Sequence, residues 1–149
     1  MSNNPVYSLF ATPATFAPFF LRMALTAVFF YHGSQKAFGW FGGDGWEATM
    51  ALWTGAAGVH LPYAVVALLI VAELVAAVGL FFGFLTRLAG LCVFVIMAGA
   101  LFYIHGGTTF DAVEYPLVLM AAGISLFFIG GGHLSIDRAI SSNLLPYVG

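Results

Sequence analysis

A chain of 149 residues that is 62% hydrophobic and 7% charged, with a mean hydropathy of +1.01, has too little polar surface to wrap a water-soluble domain. Its formal net charge of −2 comes with no basic run and no basic amphipathic helix, which argues against a nucleic-acid partner. The composition predicts an all-α integral membrane protein: one membrane domain over residues 1–149, folded as a four-transmembrane-helix bundle in contact with lipid.

Taken in chain order, Met1 to Ala17 is polar at its start and broken by Pro5 and Pro13, with Pro18 just beyond. It predicts an irregular or short interfacial lead-in. No Lys or Arg precedes Arg22 and no small-residue cleavage site follows a short apolar core, so a removable signal peptide is not expected.

The first span is predicted over about residues 16–38, long enough for the ~20 residues that cross a bilayer. At roughly 100° per residue, Arg22, Phe29, His32, Gly33 and Lys36 fall on one stripe of that helix. A charge facing lipid is expensive, so the stripe is expected to face the bundle interior or a wet cavity.

All three tryptophans, Trp40, Trp46 and Trp53, fall in the next segment, and this residue type favours the headgroup level. "DGWE" reads there as a capping box, with Asp44 at the N-cap and Glu47 three residues on. A short interfacial helix between spans one and two is predicted, ended by Gly55 or Gly58 and lying on the outer membrane surface as a partial lid.

The second span is predicted over residues 62–83, with Glu73 near its middle, the costliest depth for a carboxylate. Leu69, Ala76, Ala77 and Leu80 share its face, and the two alanines admit a close neighbour. Counting depth along the antiparallel first span places Glu73 between His32 and Arg22. Arg22 is therefore the expected ion-pair partner, with His32 the alternative. Such a pair either locks two helices together or presents a protonatable carboxylate to a cavity. Gly79 and Gly83 form a G-x-x-x-G, and Ala98, Gly99 and Ala100 cluster in span three, both patterns of close helix approach.

The third span, residues 87–105, contains Cys92, the only cysteine. No internal disulfide or dithiol is available, and Cys92 reads as a small packing residue. His105 ends this span and Glu114 begins the fourth, residues 113–130. With His32 and Lys36 they make a predicted cluster near the outer mouth. Its donors and acceptors beside apolar walls suit a quinone headgroup. His32 and His105 on different helices also give the minimal arrangement for haem ligation, and with Glu114 for a metal ion, although neither has a diagnostic spacing. His60 and His133 read as peripheral. Gly130 to Gly132 reads as the end of the fourth span, since no strand precedes it and no Walker lysine follows.

Four spans place both termini on one side. Arg87 and Arg138 fall on that side, with Arg22 near the same edge, while Asp44, Glu47, Asp111 and Glu114 fall opposite with Lys36 as the lone cation. The cation bias predicts cytoplasmic termini.

"LRMALTAVFFYHGSQKAFGWFGG" in span one, "AELVAAVGLFFGFLTRLAGL" across the turn into span three, the His105 end of that span and "GGGHLSID" after span four resemble the DoxX/DoxD family of small four-helix membrane proteins. The resemblance covers nearly the whole chain and rests on the conjunction of H-G-x-x-K, a mid-helix A-E-L and the L-T-R turn. It implies a membrane subunit tied to redox chemistry, since some relatives are subunits of a thiosulfate:quinone oxidoreductase and others are associated with oxidative-stress or detoxification complexes.

The positions carried over are Arg22, His32, Gly33, Lys36, Glu73, Arg87 and His105. The single Cys92 departs from relatives that use cysteine pairs. Arg22, His32, Lys36, Glu73, His105 and Glu114 stand as ligand or proton-relay candidates, Gly33 and Arg87 as structural ones, and no complete catalytic site is visible. The expected role is a redox-associated subunit of a bacterial inner membrane that binds a quinone and relays protons. The alternatives are a non-catalytic accessory or scaffold subunit of a larger respiratory or photosynthetic complex, and a small transporter or proton pathway. Expected partners are other membrane subunits or further copies of this chain.

Overall fold

A computed structural model describes residues 5–55, 60–104 and 109–144. Among these, regular structure is helical throughout: α1 (Pro5–Phe10), α2 (Ala17–Phe38), α3 (Gly45–Thr54), α4 (Tyr63–Phe82), α5 (Thr86–Gly99), α6 (Phe110–Ile129) and α7 (Ile136–Leu144). A 3₁₀ turn, Trp40–Gly42, follows α2, and a π-helical turn, Ala100–Ile104, continues α5. Tyr63–Phe82, Thr86–Tyr103 and Phe110–Ile129 are long and apolar enough to cross a membrane, so the chain is a multi-pass integral membrane protein. The 22-residue α2 has the length, but Arg22, His32, Gln35 and Lys36 dilute its apolar character.

Local chemistry sets the helix ends. Pro18 lies in the first turn of α2, where its missing N–H goes unneeded, and Gly39 ends the helix in the left-handed region (φ 71°) with its N–H donated to Gln35 O. The α6 helix starts a turn earlier than its hydropathy suggested and accommodates Pro116 in its second turn.

Two sequence expectations need correction at this level. Asp44 does occupy the position before α3, but its own backbone is already helical (φ −77°, ψ −23°) and its side chain makes no capping hydrogen bond. A capping residue must be extended for its oxygen to reach the first free amides. Gly83 does not extend a packing face with Gly79; it is the left-handed stop of α4 (φ 64°), and Phe84 N–H donates back to Gly79 O at 2.9 Å. Gly55 ends α3, its N–H donated to Ala51 O, whereas Gly58 lies outside the described residues.

The helices associate as two pairs, α2 with α4 and α5 with α6, and α4 meets α5 less closely. Leu25 and Phe29 of α2, Ala76, Ala77 and Leu80 of α4, Val93 of α5 and Leu126 of α6 interlock in the core. Backbones touch at Gly90 and Gly123: a Cβ at Gly90 would lie 2.6 Å from Gly123 O, and one at Gly123 2.8 Å from Gly90 O. In lipid, where apolar burial drives nothing, such close packing is what holds helices together. Around Gly99, by contrast, an added Cβ would meet nothing within 4 Å, so the Ala98–Ala100 cluster is not the close approach.

Candidate functional site

The incomplete closure between α4 and α5 leaves a cavity of about 780 Å³. Its walls are largely apolar, including Leu69, Ala72, Leu91 and Ile96, and its polar groups are His32, Lys36, Trp53, Glu73, Tyr103 and Tyr115. Residue by residue, these come from α2, α3, α4, the π turn after α5, and α6.

Glu73 sits midway along α4 and is 3% exposed. Its Oε1 is paired with Lys36 Nζ. Helix side chains lean toward their own N-terminus, so Lys36, in the last turn of α2, points down the antiparallel pair to a carboxylate deeper in the bundle. Its ammonium also lies over the Trp53 ring, 5.5 Å from the centroid, a cation–π contact that ties α3 to the pair. Gly33 makes the reach short: a Cβ there would lie 2.9 Å from Leu74 Cδ2 and 3.4 Å from Glu73 Cβ. The glycine makes room for α4.

Glu73 Oε2 is buried and makes no hydrogen bond. One carboxylate oxygen is thus paired with Lys36 and the other is an enclosed acceptor without a donor, on a residue that lines the cavity wall. Lys36 has three donors and uses one on Glu73.

Arg22 is not the partner of Glu73. It is fully buried at the far end of α4, where Nη1 donates to Leu80 O (2.8 Å) and Phe81 O (3.3 Å) and Nη2 donates to Leu134 O. The last carbonyls of a helix have no intrahelical donor and carry its negative dipole end, which draws a guanidinium more strongly than a carboxylate already served by lysine. Arg87 treats α6 likewise, donating to Phe127 O (2.6 Å), Phe128 O (2.7 Å) and Ala11 O (2.8 Å).

His32 is exposed on α2 and lines the cavity. Its ring meets Tyr31 at 5.3 Å and Tyr115 at 6.4 Å, both edge-on, and it is not bonded to Glu73, whose Oε1 is paired with Lys36 and whose Oε2 has no hydrogen-bond partner. Glu114 is exposed and does not line the cavity; the phase of α6 sets the half-exposed Tyr115 and the buried Pro116 on the cavity wall instead. The predicted joining of Glu114 with His32 and Lys36 is therefore not formed. His105 lies outside the described residues, and with it the His32–His105 arrangement. Among the described residues no group of three His, Cys, Asp or Glu side chains could hold a metal ion.

Sequence reasoning missed Tyr115, Tyr103 and Trp53 as cavity groups. Aromatic residues are common at membrane surfaces, so their type carried no signal. It also missed Asp137, 1% exposed, whose carboxylate accepts Leu85 N–H and Thr86 N–H, both at 2.8 Å, at the start of α5.

The family model described as DoxX matches residues 17–106, which spans α2 through α5 and so includes both Lys36 and Glu73. No curated protein and no solved structure matches the chain.

Proposed function

Since the chain belongs to the DoxX family, we propose that it is a membrane subunit whose cavity binds the ring of a quinone, with the Lys36–Glu73 pair as the polar end of the site. The observation that carries this reading is the buried, unbonded Glu73 Oε2 beside a paired lysine. A quinol hydroxyl donates to the carboxylate oxygen, and a quinone carbonyl accepts from the ammonium, so the same two side chains serve both redox forms. His32 and Tyr115 stand at the side of the cavity and provide a route for protons to and from Glu73. Electrons come from a partner membrane subunit.

In this reading α2 is a fourth span, with its polar stripe turned to α4 and the cavity. The 3₁₀ turn and α3 lie at the outer surface, with Trp53 over Lys36 as a lid. Arg87 and Arg138 mark the cytoplasmic side of a bacterial inner membrane, and both termini lie there. Arg22, which caps α4 at that end, fixes the bundle and takes no part in ring binding.

The test is equilibrium binding of a short-tailed ubiquinone analogue to the full chain in nanodiscs. Saturable binding that is lost on Glu73→Gln and weakened on Lys36→Met supports the site. A well-folded protein with no saturable binding sinks it.

A further inference from the structure

Charge in this chain is divided between the two ends of the helix bundle. Of its four Lys and Arg side chains, Lys36 is paired with Glu73, and the other three gather where α4 stops and α5 starts. Arg22 donates there to Leu80 O and Phe81 O, Arg87 to Ala11 O, Phe127 O and Phe128 O, and Arg138 to Thr12 O at 3.1 Å. Of the six Asp and Glu, only Asp137 lies at this end, and both its oxygens are taken by the amides of Leu85 and Thr86. Among the described residues the one ion pair is that of Lys36 with Glu73.

Arg87 from α5 and Arg138 from α7 therefore meet on successive carbonyls of the segment between α1 and α2, residues ~3.8 Å apart along the chain. Both side chains are half-buried. A carbonyl satisfies a donor's hydrogen bond but carries no net charge, and the C-terminus of α6 offsets only about half a unit. Two guanidinium charges are thus held close together without a carboxylate. Arg138 spends one donor on protein, which leaves the rest of its fork for a further acceptor. Beside the pair stand two exposed apolar side chains, Phe128, whose carbonyl Arg87 holds, and Ile136, two residues before Arg138.

We propose that Arg87 and Arg138 bind the phosphate of an anionic phospholipid, whose acyl chains lie against Phe128 and Ile136. A guanidinium matches phosphate oxygens in shape as well as in charge. The setting also selects the lipid class. No free side-chain carboxylate stands beside the pair to receive a choline or ethanolamine ammonium, so a zwitterionic headgroup leaves its cation unmatched. Phosphatidylglycerol brings a net negative charge and uncharged hydroxyls instead. A soluble phosphate fits the same two forks but has nothing to set against the apolar rim. Neither arginine lines the cavity of Lys36 and Glu73, so this site stands apart from the quinone reading.

The experiment titrates the full chain, purified in a neutral detergent, with phosphatidylglycerol or phosphatidylcholine of identical acyl chains, and counts bound lipid by native mass spectrometry. A single saturable class of phosphatidylglycerol is expected, held more tightly than phosphatidylcholine by about fivefold for each arginine. Arg138→Gln is expected to lower the phosphatidylglycerol affinity about fivefold, and Arg138→Lys to recover part of the loss. Arg138 carries the test because it makes one hydrogen bond to protein, so the lipid-free unfolding temperature is expected to change little. Arg87 ties down three carbonyls.

Equal affinity for the two lipids overturns the proposal, as does a phosphatidylglycerol preference that Arg138→Gln leaves intact. Displacement of the lipid by inorganic phosphate assigns the pair to a free anion, and displacement by an acidic peptide assigns it to a protein partner. Either result also overturns the lipid site.

Discussion

Gly33 of α2 packs directly on Leu74 of α4, and that contact sets the distance over which Lys36 reaches Glu73. One missing side chain thus links helix packing to the chemistry of the cavity. Gly33→Leu forces its added atoms into Leu74 and the Glu73 stem. It is expected to destabilise the fold by about 1–3 kcal/mol, as overpacking does, and to weaken quinone binding in the protein that still folds. Gly33→Ala adds a single methyl, 2.9 Å from Leu74 Cδ2 and 3.1 Å from its Cγ, and is expected to be milder on both counts. Thermal unfolding and quinone titration of the two variants check this.

The Lys36–Glu73 pair is open to a double-mutant test. Removing one partner of a buried pair leaves an uncompensated charge and typically destabilises by ~3–5 kcal/mol, while replacing both with apolar side chains of similar size is often neutral. Lys36→Met is therefore expected to lower the unfolding temperature strongly, and Lys36→Met combined with Glu73→Leu to restore it. Quinone binding is expected to stay lost in the double variant. Recovery of binding along with stability would show that the pair is only a helix lock.

Arg22 provides a separable case. Its guanidinium serves Leu80 O, Phe81 O and Leu134 O, and hydrogen bonds from a charged donor contribute about 1.5–3 kcal/mol each. Arg22→Gln is expected to destabilise the end of α4 by at least about 2 kcal/mol. Hydrogen–deuterium exchange should rise first at Phe82 to Leu85, while the quinone affinity of the folded fraction stays as in the parent. A drop in affinity without faster exchange there would contradict this placement.

Charges in an apolar chain announce themselves, which is why Lys36, Glu73 and Arg22 were legible in the sequence. Who pairs with whom was not, because it depends on helix register and on side-chain direction. Depth counting favoured Arg22 for Glu73, but the Gly33–Leu74 contact and the downward lean of Lys36 settle the pairing. The small residues show the same limit. The G-x-x-x-G pattern pointed to Gly79 and Gly83, yet Gly83 is a helix stop. The true backbone contact joins Gly90 to Gly123, which no local pattern connects. Hydropathy predicted four spans, of which three are helices long and apolar enough in the structure to cross a membrane, but it gave no hint that Tyr115, and not Glu114, lines the cavity.

Gly90 and Gly123 provide a test of packing away from the site. An added methyl at Gly123 would lie 2.7 Å from Val93 Cγ1 and 2.8 Å from Gly90 O, and the carbonyl belongs to a helix backbone that cannot turn aside. Gly123→Ala is expected to destabilise by about 1–3 kcal/mol, visible as a lower unfolding temperature in detergent. Gly99→Ala, in open space, serves as the control that leaves stability within experimental error.

Asp137 closes the end of the bundle at the α4–α5 turn. It caps α5 from outside, accepting the amides of Leu85 and Thr86, while its own N–H donates to Gly83 O at 3.0 Å. The α4–α5 turn is thereby clamped from both sides, at the place where Leu85 holds a left-handed backbone (φ 50°) that a leucine adopts unwillingly. Losing a helix cap destabilises by about 0.5–2 kcal/mol, and here the strained turn loses its restraint as well. Asp137→Ala is expected at the upper end of that range or above it. Asp137→Asn, which retains one acceptor oxygen, is expected to recover part of the loss. The sequence offers no substitute for it at the α5 start, because no side chain caps that terminus locally. If Asp137→Ala and Asp137→Asn unfold at the parent temperature, the clamp contributes nothing and the turn is held by its other hydrogen bonds, those of Arg22 to Leu80 O and Phe81 O and of Phe84 N–H to Gly79 O.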